Sequence, residues 1–164
     1  MLLILAGCGT AAPVKPAAPA GYDFPALTDR VVDAAKLLPP PVRSSMSTRL
    51  ATLEKDTGHQ FVVVTVPSLA GHTIEDYGVT LLRTWGIGRK DINDGVLLIV
   101  APRERKVRIE VGYGLEAALR DEEAKVVIDT AILPAFRKGD YPGGIAAGVD
   151  GVIQEIAPVK RLAA

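Results

Sequence analysis

The alternation of apolar and polar residues predicts a succession of helices and strands between residues 24 and 158. Apolar residues recur at helical intervals in two segments, "VRSSMSTRLATLEKD" and "TIEDYGVTLLRTW". Thr73 opens the second segment as an N-cap, and Asp76 fits the capping box. The β-branched run "QFVVVTV" and the continuous apolar run "GVLLIVA" predict strands, the second of them covered on both faces.

The second half of the chain predicts one more strand and two more helices. "KVRIEVG" alternates apolar and polar residues, which is typical of an antiparallel strand with one exposed face. A helix with Asp121 as its cap should follow, kinked at Pro134, and Pro142 should begin the last helix. The order α-β-α-β-β-α-α predicts a single compact domain of the α/β class.

The predicted chain directions bring acidic loops to one edge of the sheet. The first two strands are joined through a helix and should be parallel, whereas the second and third form a hairpin. The start of the second strand at Asp94 should therefore lie beside Gly112, where the third strand ends. We expect the following residues to converge on this edge: Asp91, Asn93, Asp94, Glu116 and Asp121.

Two interpretations of this acidic edge remain open. Clustered carboxylates repel each other unless a cation or protons intervene, and carboxylate and amide oxygens are the ligands that Ca²⁺ and Mg²⁺ prefer. In the other interpretation, Asn93 and Asp94 form a turn, Asp121 caps a helix and Glu116 is solvated. The spacing around Gly95 is not that of an EF-hand loop.

Composition and motifs exclude several classes of protein. The chain has 164 residues, 48% of them hydrophobic, with 19 basic and 19 acidic residues, so no net charge attracts nucleic acid. Two histidines and one cysteine argue against a zinc finger or a disulfide framework. "GYGLEA" resembles part of a dinucleotide fingerprint, but it follows a hairpin strand, so we expect no nucleotide cofactor.

The N-terminus has the pattern of a bacterial lipoprotein. "LAGC" resembles a lipobox and predicts lipidation of Cys8, with residues 1–7 as the remainder of a signal peptide. Residues 8–23, rich in Ala and Pro, read as a tether, and residues 159–164 read as a tail. The alternative is a frayed apolar N-terminus with an idle thiol. No apolar stretch is long enough to predict a membrane-spanning helix.

A basic turn joins the second and third predicted strands. It carries four cations in close succession: Arg103, Arg105, Lys106 and Arg108. The turn is either simply solvated or, in a lipid-tethered domain, in contact with anionic headgroups.

Several segments together resemble the TPM domain, notably "WGIG", "DGVLLIV", "RIEVGYGLE" and "GDYPGGI". That family includes plant thylakoid-lumen acid phosphatases, photosystem II repair factors and bacterial envelope proteins. The resemblance implies a small mixed central sheet with helices on both faces, an α/β/α sandwich. It also implies a divalent cation, usually Ca²⁺, in some members, and the family's acidic positions match Asp33, Asp94 and Asp121. The family usually carries Asn-Gly or Asn-Asn-Gly at this strand entrance, where the present chain has Asn93-Asp94-Gly95.

The sequence thus predicts a cell-envelope protein, lipid-anchored through Cys8 and facing the periplasm or the exterior. Its function is expected to be that of an accessory or interaction module that binds Ca²⁺ or Mg²⁺ and an unknown protein partner. The expected metal ligands are Asp33, Asn93, Asp94 and Asp121. The alternative is a metal-assisted acid phosphatase that hydrolyses phosphate monoesters, although no persuasive nucleophile or general acid is found.

Overall fold

A computed structural model describes residues 17–157 of the chain. Residues 1–7, Cys8, the first part of the predicted tether and the tail from 159 to 164 lie outside the described residues. Within the described part, no helix is both long enough and apolar enough to span a membrane.

Four strands form one mixed sheet in the order β1-β2-β3-β4. They are β1 (Val31–Asp33), β2 (Gln60–Thr65), β3 (Gly95–Ala101) and β4 (Lys106–Val111). The first three strands are parallel and β4 returns antiparallel to β3, with Val96 paired to Val111. The start of β3 therefore lies beside the end of β4, as the hairpin prediction requires.

The helices cover both faces of the sheet. On one face lies α2 (Ile74–Trp85), and on the other lie α1 (Pro40–Thr57), α3 (Asp121–Val127), α4 (Leu133–Phe136) and α5 (Tyr141–Ile156). A short 3₁₀ helix, Tyr113–Leu115, follows β4. Because β3 is wholly buried between the two layers, its side chains belong alternately to two apolar cores. The predicted α/β/α sandwich is confirmed.

The first strand was not predicted as a separate element. It contains three residues, and it exists because Val31 and Val32 pair with Val63 and Val64 of β2. Such a short run has too little periodicity to be recognised without its partner strand.

The expected kink at Pro134 takes the form of a π-helical turn. Residues Ile128–Ile132 widen the helix between α3 and α4, and the Leu133 backbone N–H bonds to the carbonyl of Ile128. The wider turn precedes Pro134, which lacks an N–H to donate and would clash within a regular helix. The start of α3 also differs from expectation, because the N-cap is Arg120 and Asp121 is the first helical residue.

Residues 21–24 form a strap against the α2 face. Tyr22 stacks on His72 with ring centroids 3.9 Å apart, and the His72 Nε2 donates to the Gly21 carbonyl at 2.8 Å. Phe24 is buried and meets Tyr77 edge to face at 5.0 Å. The part of the predicted tether from residue 21 to 23 thus contacts the folded domain.

Candidate functional site

A cleft of about 270 Å³ lies between α2, β4 and the loops where β3 begins and β4 ends. We call it the rim cleft. Its polar lining combines both signs of charge with one amide: Arg83, Asn93, Arg108, Glu110, Glu116 and Asp121. The apolar part of the lining includes Val79, Leu82 and Ile87, and Tyr113 stands at its mouth.

Backbone hydrogen bonds join the two rim loops, one of which precedes β3 and the other of which follows β4. Gly112 donates its N–H to the Gly95 carbonyl at 2.8 Å, and Gly114 donates to the Asn93 carbonyl at 3.0 Å. A Cβ at Gly114 would lie 2.1 Å from the carbonyl oxygen of Ile92, so no larger residue fits without movement. The glycines of "GYG" thus allow close contact between loops.

Asp94 is buried at the start of β3, and the protein's own groups surround its carboxylate. One oxygen accepts from the Arg89 backbone N–H at 2.8 Å. The other accepts from Arg89 Nε at 2.7 Å and Nη2 at 2.5 Å, and lies 3.2 Å from His59 Nδ1. The negative charge of Asp94, which was expected to attract a metal ion, is therefore neutralised by the Arg89 guanidinium.

These contacts shift the pKa of Asp94 to about 2, from an ordinary value of 3.8. Burial is the largest single influence and acts to raise the pKa, because it penalises the charged form. The hydrogen bonds from the Arg89 side chain, the Arg89 backbone and His59 together outweigh burial and lower it. The carboxylate is thus ionised over the whole neutral range.

The loop from Arg89 to Asp94 is shaped by backbone conformations that few residues adopt. Asp91 and Asn93 both have positive φ, 69° and 55°, in the left-handed region that Asn and Asp tolerate best. The Arg89 guanidinium rests on Gly58, the left-handed residue that ends α1. The loop is therefore held at both ends before any ligand arrives.

Asn93 and Asp121 are the two predicted ligands that share the rim cleft, together with Glu116. All three are exposed. Asp121 is carried by the first turn of α3, whose start is fixed by Glu123 accepting from the Arg120 backbone N–H at 3.1 Å. Asp91, also expected at this edge, is exposed but does not line the cleft.

Asp33 lies at the opposite edge of the sheet, at the end of β1. Its carboxylate accepts from the backbone N–H groups of Leu37 at 2.9 Å and Leu38 at 2.8 Å, and from the Thr65 hydroxyl at 2.5 Å. These bonds hold the connection from β1 to α1. The four predicted ligands therefore do not surround one point, and the described residues contain no cluster of three or more acidic, His or Cys side chains with metal-site geometry.

Sequence reasoning did not place Arg83, Arg108, Glu110 or Tyr113 in the cleft, and it assigned Arg108 to the basic turn although that residue lies within β4. Arg83 lies one helical turn after Val79 on α2, so the helical spacing could have placed it facing the end of β4. Arg108 shares the cleft but is already paired with Glu110, with Nε 2.6 Å from the carboxylate.

The mouth of the cleft exposes apolar surface. Tyr113, in the lining of the cleft, is 73% exposed. Ile92, which is outside the lining but precedes Asn93 in the same rim loop, is 47% exposed. Their position beside a mixed-charge cleft is typical of protein interfaces, where aromatic side chains contribute large contact areas.

Comparisons with known proteins agree with this architecture. The sequence profile described as the TPM domain matches residues 31–155. The solution structure of the N-terminal domain of a protein from P. gingivalis is 37% identical, with a TM-score of 0.74 over 79% of this chain and 82% of that chain. A search of curated proteins found no match.

Two more distant structures share the fold. The N-terminal domain of a Corynebacterium glutamicum protein is 19% identical, with a TM-score of 0.61 over 82% of each chain. Protein BA42 from Bizionia argentinensis is 17% identical, with a TM-score of 0.64 over 74% of this chain and 83% of that chain. The profile match over most of the chain, together with the 37% identity, confirms the resemblance: the chain belongs to the TPM domain family.

Proposed function

We propose that the chain is an envelope-anchored binding module that offers the rim cleft to a protein partner. The observation that carries this proposal is the exposure of Tyr113 in the lining of the cleft and of Ile92 in the adjoining rim loop. Exposed aromatic and aliphatic side chains beside fixed charges are the components from which interface hot spots are built. The lipid anchor on Cys8 is supported by the lipobox-like sequence alone.

The hydrogen bonds of the rim loops favour binding. The Asp94–Arg89 contacts and the bonds between the glycine loops hold the backbone of the two loops together. A preformed surface loses less conformational freedom when a partner binds, so more of the contact energy appears as affinity.

The proposal includes a divalent cation that is bound between the rim cleft and the protein partner. Asn93, Glu116 and Asp121 supply one amide and two carboxylates to the same cleft. This donor set suits a Ca²⁺ or Mg²⁺ ion that keeps several waters and takes further oxygen ligands from the partner. Asp94 and Asp33 do not fit, because protein donors already occupy their oxygens.

The cation is tested by thermal unfolding with Ca²⁺, with Mg²⁺ and with chelator. We expect the cation to raise the Tm of the wild type, because binding to the native state alone stabilises it. The shift should disappear in Glu116→Gln/Asp121→Asn. It should persist in Glu75→Gln/Glu155→Gln, which removes the same charge from exposed positions outside the cleft. Equal shifts of Tm in both variants would show that the cation does not bind in the cleft.

The partner surface is tested with a photo-crosslinking amino acid at position 113, in native envelopes. The control is position 126, where Val126 is 58% exposed but lies outside the cleft. We expect one discrete crosslinked protein from position 113 and none from position 126. Identical products from the two positions would contradict the proposal.

A phosphatase is the second candidate, favoured by one observation. Arg83 and Arg108 share the cleft with Asp121 and Glu116, and guanidinium groups bind phosphate oxygens well. A bound cation would supply Lewis-acid polarisation of a phosphoryl oxygen. Hydrolysis of p-nitrophenyl phosphate that requires Ca²⁺ or Mg²⁺, and that Asp121→Asn abolishes while Glu75→Gln does not, would establish this function over the binding module.

A further inference from the structure

Exposed cations gather at the end of the sheet where β1 to β3 finish and β4 begins, which is the end opposite the rim cleft. We call this end the hairpin edge. The β3–β4 hairpin presents Arg103 and Arg105 in its turn and Lys106 at the start of β4, and Lys36 lies in the connection that follows β1. All four side chains are exposed, and within the described part of the chain none forms an ion pair.

The junction of α4 and α5 adds Arg137 and Lys138 to this edge. The helix from α3 to α4 begins at the rim cleft. Its π-helical turn lies at mid-sheet, where a Cβ added to Gly148 would meet both Ile132 and Leu98. The chain therefore leaves α4 at the end of the sheet away from the rim. Arg137 and Lys138 are exposed there and are also without ion pairs among the described residues.

Acidic side chains at this edge are largely turned inward or placed at helix starts. Glu104 points from the turn into the loop after β2, where it accepts from the Ser68 hydroxyl at 2.9 Å and the Leu69 N–H at 3.0 Å. The Asp33 carboxylate accepts hydrogen bonds from Leu37, Leu38 and Thr65. Asp140 caps α5, and the first turn of α2 carries two acids, Glu75 and Asp76, so helix dipoles partly offset their charge.

The strap meets the domain at the same edge. Gly21 and Tyr22 contact His72, whose backbone N–H bonds to the Leu69 carbonyl at 3.0 Å. Leu69 in turn donates to Glu104 of the β3–β4 turn. The N-terminal end of the described chain is thus fixed beside the cationic turn.

We propose that the hairpin edge docks on a membrane surface of anionic phospholipids, through Lys36, Arg103, Arg105, Lys106, Arg137 and Lys138. Each basic residue close to such a surface gains favourable interaction with its negative potential, and a cluster of them adds up to stable attachment. This attachment requires neither the partner nor the cation of the rim cleft. A lipid on Cys8 would add a hydrophobic anchor to the electrostatic one.

Docking in this orientation has a geometric consequence for the cleft. The strands rise about 3.3 Å per residue, so β3 holds the rim roughly 20 Å from the hairpin edge. The rim cleft then faces away from the bilayer and stays open to a partner.

The experiment is co-sedimentation of the full, unlipidated chain with vesicles. We expect binding to mixed phosphatidylglycerol and phosphatidylcholine vesicles, weakening as salt is added, and no binding to phosphatidylcholine alone. In Arg103→Glu/Lys106→Glu the partition coefficient should fall by at least about tenfold. Circular dichroism checks that the variant is folded.

The matched control is Lys55→Glu/Lys90→Glu, which makes the same change of charge at exposed positions near the rim. This control should retain most of the wild-type binding. An equal loss in both variants would assign binding to net charge and overturn the proposal, as would wild-type binding to neutral vesicles. A DNA duplex that competes fully with the vesicles would assign the edge to polyanions in general and would also overturn it.

Discussion

The Asp94 carboxylate sits at the start of a fully buried strand, where an ionised group is costly unless charge and hydrogen bonds surround it. Arg89 meets that requirement from only five residues away, through its backbone and its side chain. Arg89 therefore neutralises Asp94 within the rim loop, and the proposed ligand groups that line the cleft are those of Asn93, Glu116 and Asp121.

Acid should weaken the fold through this carboxylate. Because the pKa of Asp94 is about 2 in the folded chain and ordinarily 3.8, its ionised form stabilises the fold above about pH 4. This contribution, roughly 2 kcal/mol, is lost as the pH falls from about 4 to about 2. Urea unfolding across this range should show the loss in the wild type and not in Asp94→Asn.

Asp91→Asn is the control for that measurement. Asp91 is exposed and its left-handed backbone suits Asn equally well, so the pH dependence should match the wild type. A pH profile of Asp94→Asn that is also unchanged would contradict the assigned role.

The contact between Arg89 and α1 gives a second prediction at a single residue. Gly58→Ala places a Cβ 2.8 Å from the Arg89 guanidinium carbon and forces Ala into a left-handed conformation. Gly71→Ala has a similar φ, +86° against +80°, but meets no atom within 4 Å. We expect Gly58→Ala to lower the free energy of unfolding by about 0.5–1 kcal/mol more than Gly71→Ala does.

At the scale of single residues, the sequence predicted the positions of the site residues better than the contacts that these residues make. The chain directions correctly brought Asn93 and Asp121 to one edge, because hairpin geometry follows from the strand order alone. The pairing of Asp94 with Arg89 could not be predicted, since it depends on positive φ at Asp91 and Asn93 inside a short loop. Asp33 could not be placed until β1 was known.

Among the elements, α5 shows how glycine allows helices to approach the sheet. Gly148 lies against Ile132 of the π-helical turn, where a Cβ would be 2.5 Å from the Ile132 Cδ1 and 2.7 Å from its Cγ1. The π-helical turn and the glycine face of α5 are thus complementary surfaces in one core.

Gly148→Ala should therefore lower the free energy of unfolding by about 1–3 kcal/mol through overpacking, despite the higher helix propensity of Ala. Ile132→Val removes the Cδ1 atom, so it should cost less in the Gly148→Ala background than in the wild type. Urea unfolding of the four proteins of this double-mutant cycle measures the coupling. Additive effects would show that the two side chains do not collide.

Long periodic elements were predictable and short ones were not. Helices α1 and α2 and strand β4 contain enough apolar residues to show their period, and β2 and β3 are long enough to appear as apolar runs. The three residues of β1 do neither, and the π-helical turn appears in sequence only as Pro134 within a helical pattern.

On the scale of the whole molecule, the strap determines where the folded domain begins. Phe24 is 5% exposed and Leu27, three residues later, is 43% exposed. Phe24→Ala should lower the free energy of unfolding by about 3 kcal/mol, because it empties a buried aromatic position. Leu27→Ala should cost less than about 1 kcal/mol in the same urea titration. Equal costs would mean that the strap adds nothing to the fold.

The order of the strands has one more consequence. Within the described chain, β4 has a single neighbouring strand, so its outer backbone groups face away from the sheet. Its first residue is Lys106, and Arg108 and Glu110 occupy alternate positions along it. Charges at such a border disfavour docking by a strand from another copy of the chain, and β1 is too short to offer a template. Crowded copies of this domain should therefore stay separate, without their sheets joining into fibrils.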